Sequence, residues 1–170
     1  FRRGDGRVRV FVNHELWRSR GTSYQLRNDL EMTGARVSYF DLDARSRKIL
    51  DAGIATTTVY DRSHRLVTTS GQVSELPDGR NIGFGRFCYG QAVAAGTYGL
   101  VDDIYFVGEE VRPPRGHPFG GSVWALDVAS GALWAVPAMG RGAWENVTPL
   151  ATGDGGRVVF LLSDDTHDAP

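Results

Sequence analysis

An apolar run that stops in acid recurs along this chain: Phe11-Val12-Asn13-His14-Glu15, Tyr105-Phe106-Val107-Gly108-Glu109-Glu110 and Phe160-Leu161-Leu162-Ser163-Asp164-Asp165. Each run has the β-branched and aromatic composition of a strand, and each ends in carboxylates. Acids at the same end of successive strands must reach either solvent or a cation, because a buried charge needs a partner. A strand-turn-strand unit repeated with loop insertions is the pattern of a β-propeller, whose blades run about 40–50 residues. A β-sandwich with acidic turns is the plainer alternative.

The rest of the chain fits that frame. Residues 35–42 read as a strand with a hairpin partner over 48–55, and 56–60 is β-branched. Ser122–Val128, a turn at Ala129-Ser130-Gly131 and Ala132–Val136 form a second hairpin. Residues 16–33 are mixed and suit a short helix or a long loop, and residues 142–146 read as a loop entering the last strand. Glycine is abundant, 22 of 170 residues, and falls between the strand-like runs, as tight turns require. The expected fold class is all-β and β-propeller-like, a single partial domain with blade-like units over residues 7–60, 100–136 and 157–170 and an irregular insert over 61–99. That amounts to roughly two to three blades, fewer than the four that close the smallest ring. The sequence therefore reads as an incomplete piece that would pack against remaining blades, its isolated strand edges an aggregation hazard.

Composition narrows the function. A net charge of −1 offers no electrostatic grip on nucleic acid or an anionic membrane, and no apolar run approaches the roughly 20 residues that span a bilayer. The one cysteine, Cys88, excludes an intrachain disulfide. The sequence carries no G-x-S-x-G, S-x-x-K or phosphate-binding loop. Gly83-x-Gly85 lacks the further glycines of a dinucleotide loop, and His14, His64, His117 and His167 show no metal-ligand spacing.

The acids are the strongest candidates for chemistry. Glu15, Glu109, Glu110, Asp164 and Asp165 follow apolar strands directly, and Glu145 sits between Trp144 and Asn146. Convergent carboxylates suit a hard cation such as calcium, whereas a thiolate at Cys88 suits a transition metal. Arg86, two residues before Cys88, has the planar fork that grips an oxyanion.

Taken in order, N-H-E-L at 13–16, G-A-R-V-S at 34–38, G-R-F-C at 85–88, Y-F-V-G-E-E at 105–110, A-W-E-N at 143–146 and D-D at 164–165 resemble the secreted PhoX-like alkaline phosphatases and their bacterial relatives. The resemblance implies a β-propeller with calcium and iron at its centre, hydrolysing phosphate esters in the periplasm or outside the cell. It implies Cys88 as an iron ligand, Glu109 or Glu110 as the acid on the next strand, and Glu145, Asp164 and Asp165 as later metal ligands.

The expected function is thus metal-dependent hydrolysis of a small phosphate ester. Glu15, Cys88, Glu109, Glu110, Glu145, Asp164 and Asp165 would hold metal, and Arg86 would steady the phosphoryl group. The alternative is a calcium-stabilised propeller that binds partners and catalyses nothing, because the hairpin at 123–134 occurs in enzymes and scaffolds alike.

Overall fold

The computed structural model describes residues 1–18, 20–69, 72–73, 83–112 and 120–165. His117, His167, the prolines at 113, 114 and 118, and part of the 61–99 segment lie outside the described residues.

The fold is all-β. Strand β1 (Arg7–His14) pairs antiparallel with β4 (Arg36–Asp43), which forms a hairpin with β5 (Ile49–Ile54). The register sets Arg9 opposite Asp41, and their side chains form a two-pronged ion pair at 2.7 Å. Opposite charges facing each other across a pair favour that register over a slipped one. The Arg9 hydrogen bonds hold the Asp41 carboxyl below the usual range. The turn at Asp43 is closed by its own side chain, which accepts from the Ser46 amide at 2.6 Å and the Ser46 hydroxyl at 2.8 Å.

Residues 16–33 contain β2 (Tyr24–Gln25) and β3 (Glu31–Gly34), which share a small sheet with β7 (Gly83–Phe84). The main sheet runs in the order β6 (Thr58–Tyr60), β11 (Ala132–Ala135), β10 (Val123–Asp127), β9 (Ile104–Glu109), β8 (Phe87–Val93). Strand β12 (Trp144–Leu150) pairs with β13 (Val159–Asp164) as a two-stranded ribbon.

Strand β9 is buried along most of its length because both faces of the main sheet are covered. Side chains alternate along a strand, so Tyr105 and Val107 enter one core with Val37, Phe84, Phe87, Trp124, Leu126 and Leu133. Phe106 enters a second core with Val93, Val123 and Val147, where its ring meets that of Phe160 edge-on at 4.9 Å. The main sheet is thereby sandwiched between the β1–β4–β5 sheet and the β12–β13 ribbon.

The structure departs from the sequence expectations in four places, the first being that residues 16–33 hold two short strands in place of a short helix or a long loop. Residues 87–93, inside the segment read as irregular, form the edge strand of the main sheet, and residues 144–146 belong to a strand rather than a loop. The acidic strands are also not equivalent: β1 is the edge of its sheet, β9 is interior to the main one, and β13 is half of a ribbon. What they share is the end at which they stop.

Candidate metal centre at converging strand ends

Antiparallel pairing brings the end of one strand to the start of its neighbour. Glu15 follows the end of β1, Arg86 and Cys88 stand at the start of β8, Glu110 follows β9, Glu145 lies near the start of β12, and Asp165 follows β13. Two overlapping groups result. Glu15, Cys88 and Glu110 offer ligand atoms within 4.8 Å of one another, and so do Glu110, Glu145 and Asp165.

Two of these side chains owe their aim to β-bulges. Between β8 and β9 the register passes from Phe87 opposite Glu109 to Tyr89 opposite Gly108, which leaves Cys88 as the extra residue. Between β12 and β13 it passes from Trp144 opposite Asp164 to Asn146 opposite Ser163, which leaves Glu145 as the extra residue. A bulge breaks the alternation locally and re-aims one side chain, here toward the carboxylate that both groups share.

Arg86 neutralises part of this charge. Its Nη1 lies 2.6 Å from Glu110 Oε1, and its Nη2 lies 2.7 Å from Glu15 Oε1. Its backbone is in the left-handed region, at φ 39°, a conformation costly for a residue with a side chain. Hydrogen bonds hold it there: its amide donates to Leu16 O at 2.7 Å, and its carbonyl accepts from the Glu110 amide at 2.9 Å. The Glu15 hydrogen bond, foremost, binds the Arg86 proton more firmly than usual.

Glu110 is 5% exposed, and its Oε2 is buried with no hydrogen-bond partner. A buried carboxylate oxygen left bare costs its desolvation. Cys88 registers the same concentration of charge. Burial first, then the closeness of Glu110, Glu15 and Glu145, pushes its thiol up to about 11.

Glu109 does not join these groups. The alternation that places Glu110 toward β12 turns Glu109 into the opposite core, where it is fully buried. There its Oε1 accepts from the Gly85 amide at 3.0 Å, its Oε2 accepts from Trp124 Nε1 at 3.4 Å, and Arg18 Nη2 stands 3.9 Å away. Asp164 also lies outside the two groups. Its Oδ1 accepts from the Ala143 amide at 2.8 Å, while the Asp165 amide donates to Ala143 O at 2.9 Å, so the pair clamps the residue that bridges to Glu110. His14 is likewise structural, with its Nε2 2.8 Å from Ser38 Oγ. Sequence reasoning passed over Trp17, whose only signal was its place directly after the N-H-E-L motif. Its ring lies under the Arg86 guanidinium, 5.3 Å from Cζ to the ring centre.

Burial raises the folded-state pKa of Glu109 above its ordinary value. The stability linked to that shift is complete below the unfolded value of about 4.3 and is lost as pH rises through the folded one. Glu109→Gln has no such dependence. Its urea midpoint is therefore expected to gain on the unsubstituted protein as pH rises from about 4. Midpoints that stay parallel across that range would show Glu109 to ionise normally in the fold.

Chemically, the groups offer carboxylate oxygens and one thiol. The oxygens match a hard cation such as calcium and the thiol a transition metal such as iron, and the buried Glu110 Oε2, without a hydrogen-bond partner, can serve as a ligand atom. Comparison with protein-family models, with curated proteins and with solved structures found no match.

Proposed function

We propose that the converging strand ends form a metal centre that hydrolyses phosphate esters, carried by a β-propeller-like assembly to which this chain contributes neighbouring blades. The observation that carries the reading is Glu110: a buried carboxylate with a bare oxygen, shared by two groups of potential ligands. In this reading Glu15, Glu110, Glu145 and Asp165 hold calcium, and Cys88 adds the soft ligand that iron prefers. Bound metal would neutralise phosphoryl charge and supply an activated water. Arg86 presents its guanidinium beside the same carboxylates and would grip the non-bridging oxygens of the ester. Glu109 stays in the core and sets the end of β9 through the Gly85 amide. The resemblance to the PhoX-like phosphatases supports the same chemistry and implies a periplasmic or extracellular setting.

The test couples metal content to turnover. Calcium with iron in the purified protein, and hydrolysis of 4-nitrophenyl phosphate that chelation abolishes, is the expected result. Calcium without turnover would identify a calcium-stabilised scaffold instead. No bound metal and no hydrolysis on adding both metals would overturn the reading.

A further inference from the structure

Trp17 is a large aromatic beside the proposed centre, its ring 5.3 Å from Arg86 Cζ, and it is 59% exposed. The segment that carries it is held firmly. Leu16 O accepts the Arg86 amide at 2.7 Å, and Trp17 O accepts the Arg20 amide at 3.1 Å. Behind the segment, Gly34 has φ 75°, and a side-chain carbon there would stand 3.3 Å from Trp17 O and 3.2 Å from Arg18 Cα while colliding with Phe84 O. The backbone of residues 16–18 is thus packed directly on β3, and the ring stands outward on a fixed base.

The Arg86 guanidinium covers part of the ring within cation–π range. The same guanidinium reaches Glu15 and Glu110. One side chain therefore links a flat, exposed aromatic surface to the carboxylates of the centre. A phosphate gripped by that fork has its organic substituent directed along a neighbouring surface, and the surface on this side is indole.

We infer that Trp17 and Arg86 form a recognition site for phosphate esters whose organic group is a flat aromatic ring, such as a nucleotide base or an aryl group. The inference rests on the phosphate-ester reading and adds the class of ester. Arg86 holds the phosphate, and Trp17 stacks the ring. Base–indole stacking tolerates many ring identities because every base has a π face, so the selection is for aromatic over aliphatic esters rather than for one base.

The test measures binding without turnover, using the metal-loaded protein and the phosphonate analogues of adenosine 5′-monophosphate and ribose 5-phosphate, whose carbon–phosphorus bond is not hydrolysed. The nucleotide is expected to bind about tenfold more tightly, equivalent to roughly 1.4 kcal/mol. Trp17→Ala should erase that preference by weakening nucleotide binding far more than ribose 5-phosphate binding, and Trp17→Phe should retain much of it. Equal affinities in the unsubstituted protein, a preference that survives Trp17→Ala, or binding of neither ligand would each overturn the inference. Hydrolysis is scored separately. A tryptophan-dependent preference without hydrolysis would sink the phosphatase reading and leave the aromatic site standing.

Discussion

Glu110→Gln is expected to weaken calcium binding about 100-fold, close to 2.7 kcal/mol, in a calorimetric titration. The substitution preserves shape and removes one negative charge from the residue that belongs to both ligand groups. At about 4 Å and an effective dielectric near 20, a unit charge is worth roughly 4 kcal/mol to another unit charge and roughly 8 to divalent calcium, of which desolvation cancels the greater part and leaves a few kcal/mol. A loss of that order is therefore expected from one ligand. Arg86 retains its contact with Glu15 at 2.7 Å, so the metal-free variant keeps a partner for its guanidinium. Glu109→Gln is the matched control, one residue away on the opposite face of the strand, and its calcium affinity should be unchanged. Equal affinities of Glu110→Gln and the unsubstituted protein would remove Glu110 from the centre.

The contrast between these neighbours shows where sequence reading stops. That both follow an apolar strand was legible, and so was the gathering of acids at strand ends, because the three acidic runs repeat one pattern. Which of the two faces the cluster was not. Residues 104–107 are apolar on both faces, since the main sheet is covered on both sides, and the alternation that reveals an inward face is absent. Strand β8 escaped for a related reason. Phe87-Cys88-Tyr89-Gly90-Gln91-Ala92-Val93 is buried at its ends, half-buried from Cys88 to Gln91 and exposed at Ala92, and its bulge at Cys88 interrupts what periodicity remains. The bulges that aim Cys88 and Glu145 arise from pairing with β9 and β13, which no local pattern encodes. The hairpins at 36–54 and 123–135 were legible because turn chemistry and strand composition agree there.

Gly108→Val is expected both to destabilise the protein and to disable half of the centre. Gly108 faces β12 from the interior of the main sheet. A side-chain carbon on it would stand 2.5 Å from Trp144 O, 3.2 Å from Trp144 C and 3.3 Å from Trp144 Cβ. Most of these are backbone atoms of a paired strand, so they cannot swing aside as a flexible side chain would. Glycine at this position is a requirement of close approach. Overfilling such a contact costs about 1–3 kcal/mol, and in a domain of this size each kcal/mol lowers the melting temperature by about 2–4 °C. The functional effect follows from what β12 carries. Pushing Trp144 outward moves Glu145 and the Ala143 bridge to Glu110, and with Ala143 goes Asp165, whose amide is bonded to its carbonyl. Glu15, Cys88 and Glu110 depend on β1, β8 and β9 and remain together. The variant should therefore melt several degrees lower and bind calcium like the double variant Glu145→Gln/Asp165→Asn, with no further loss when the three substitutions are combined. A Gly108→Val protein with unaltered melting temperature and calcium affinity would show that β12 does not press on β9 as described. Additive losses in the triple variant would show instead that the glycine and the two acids act on separate sites.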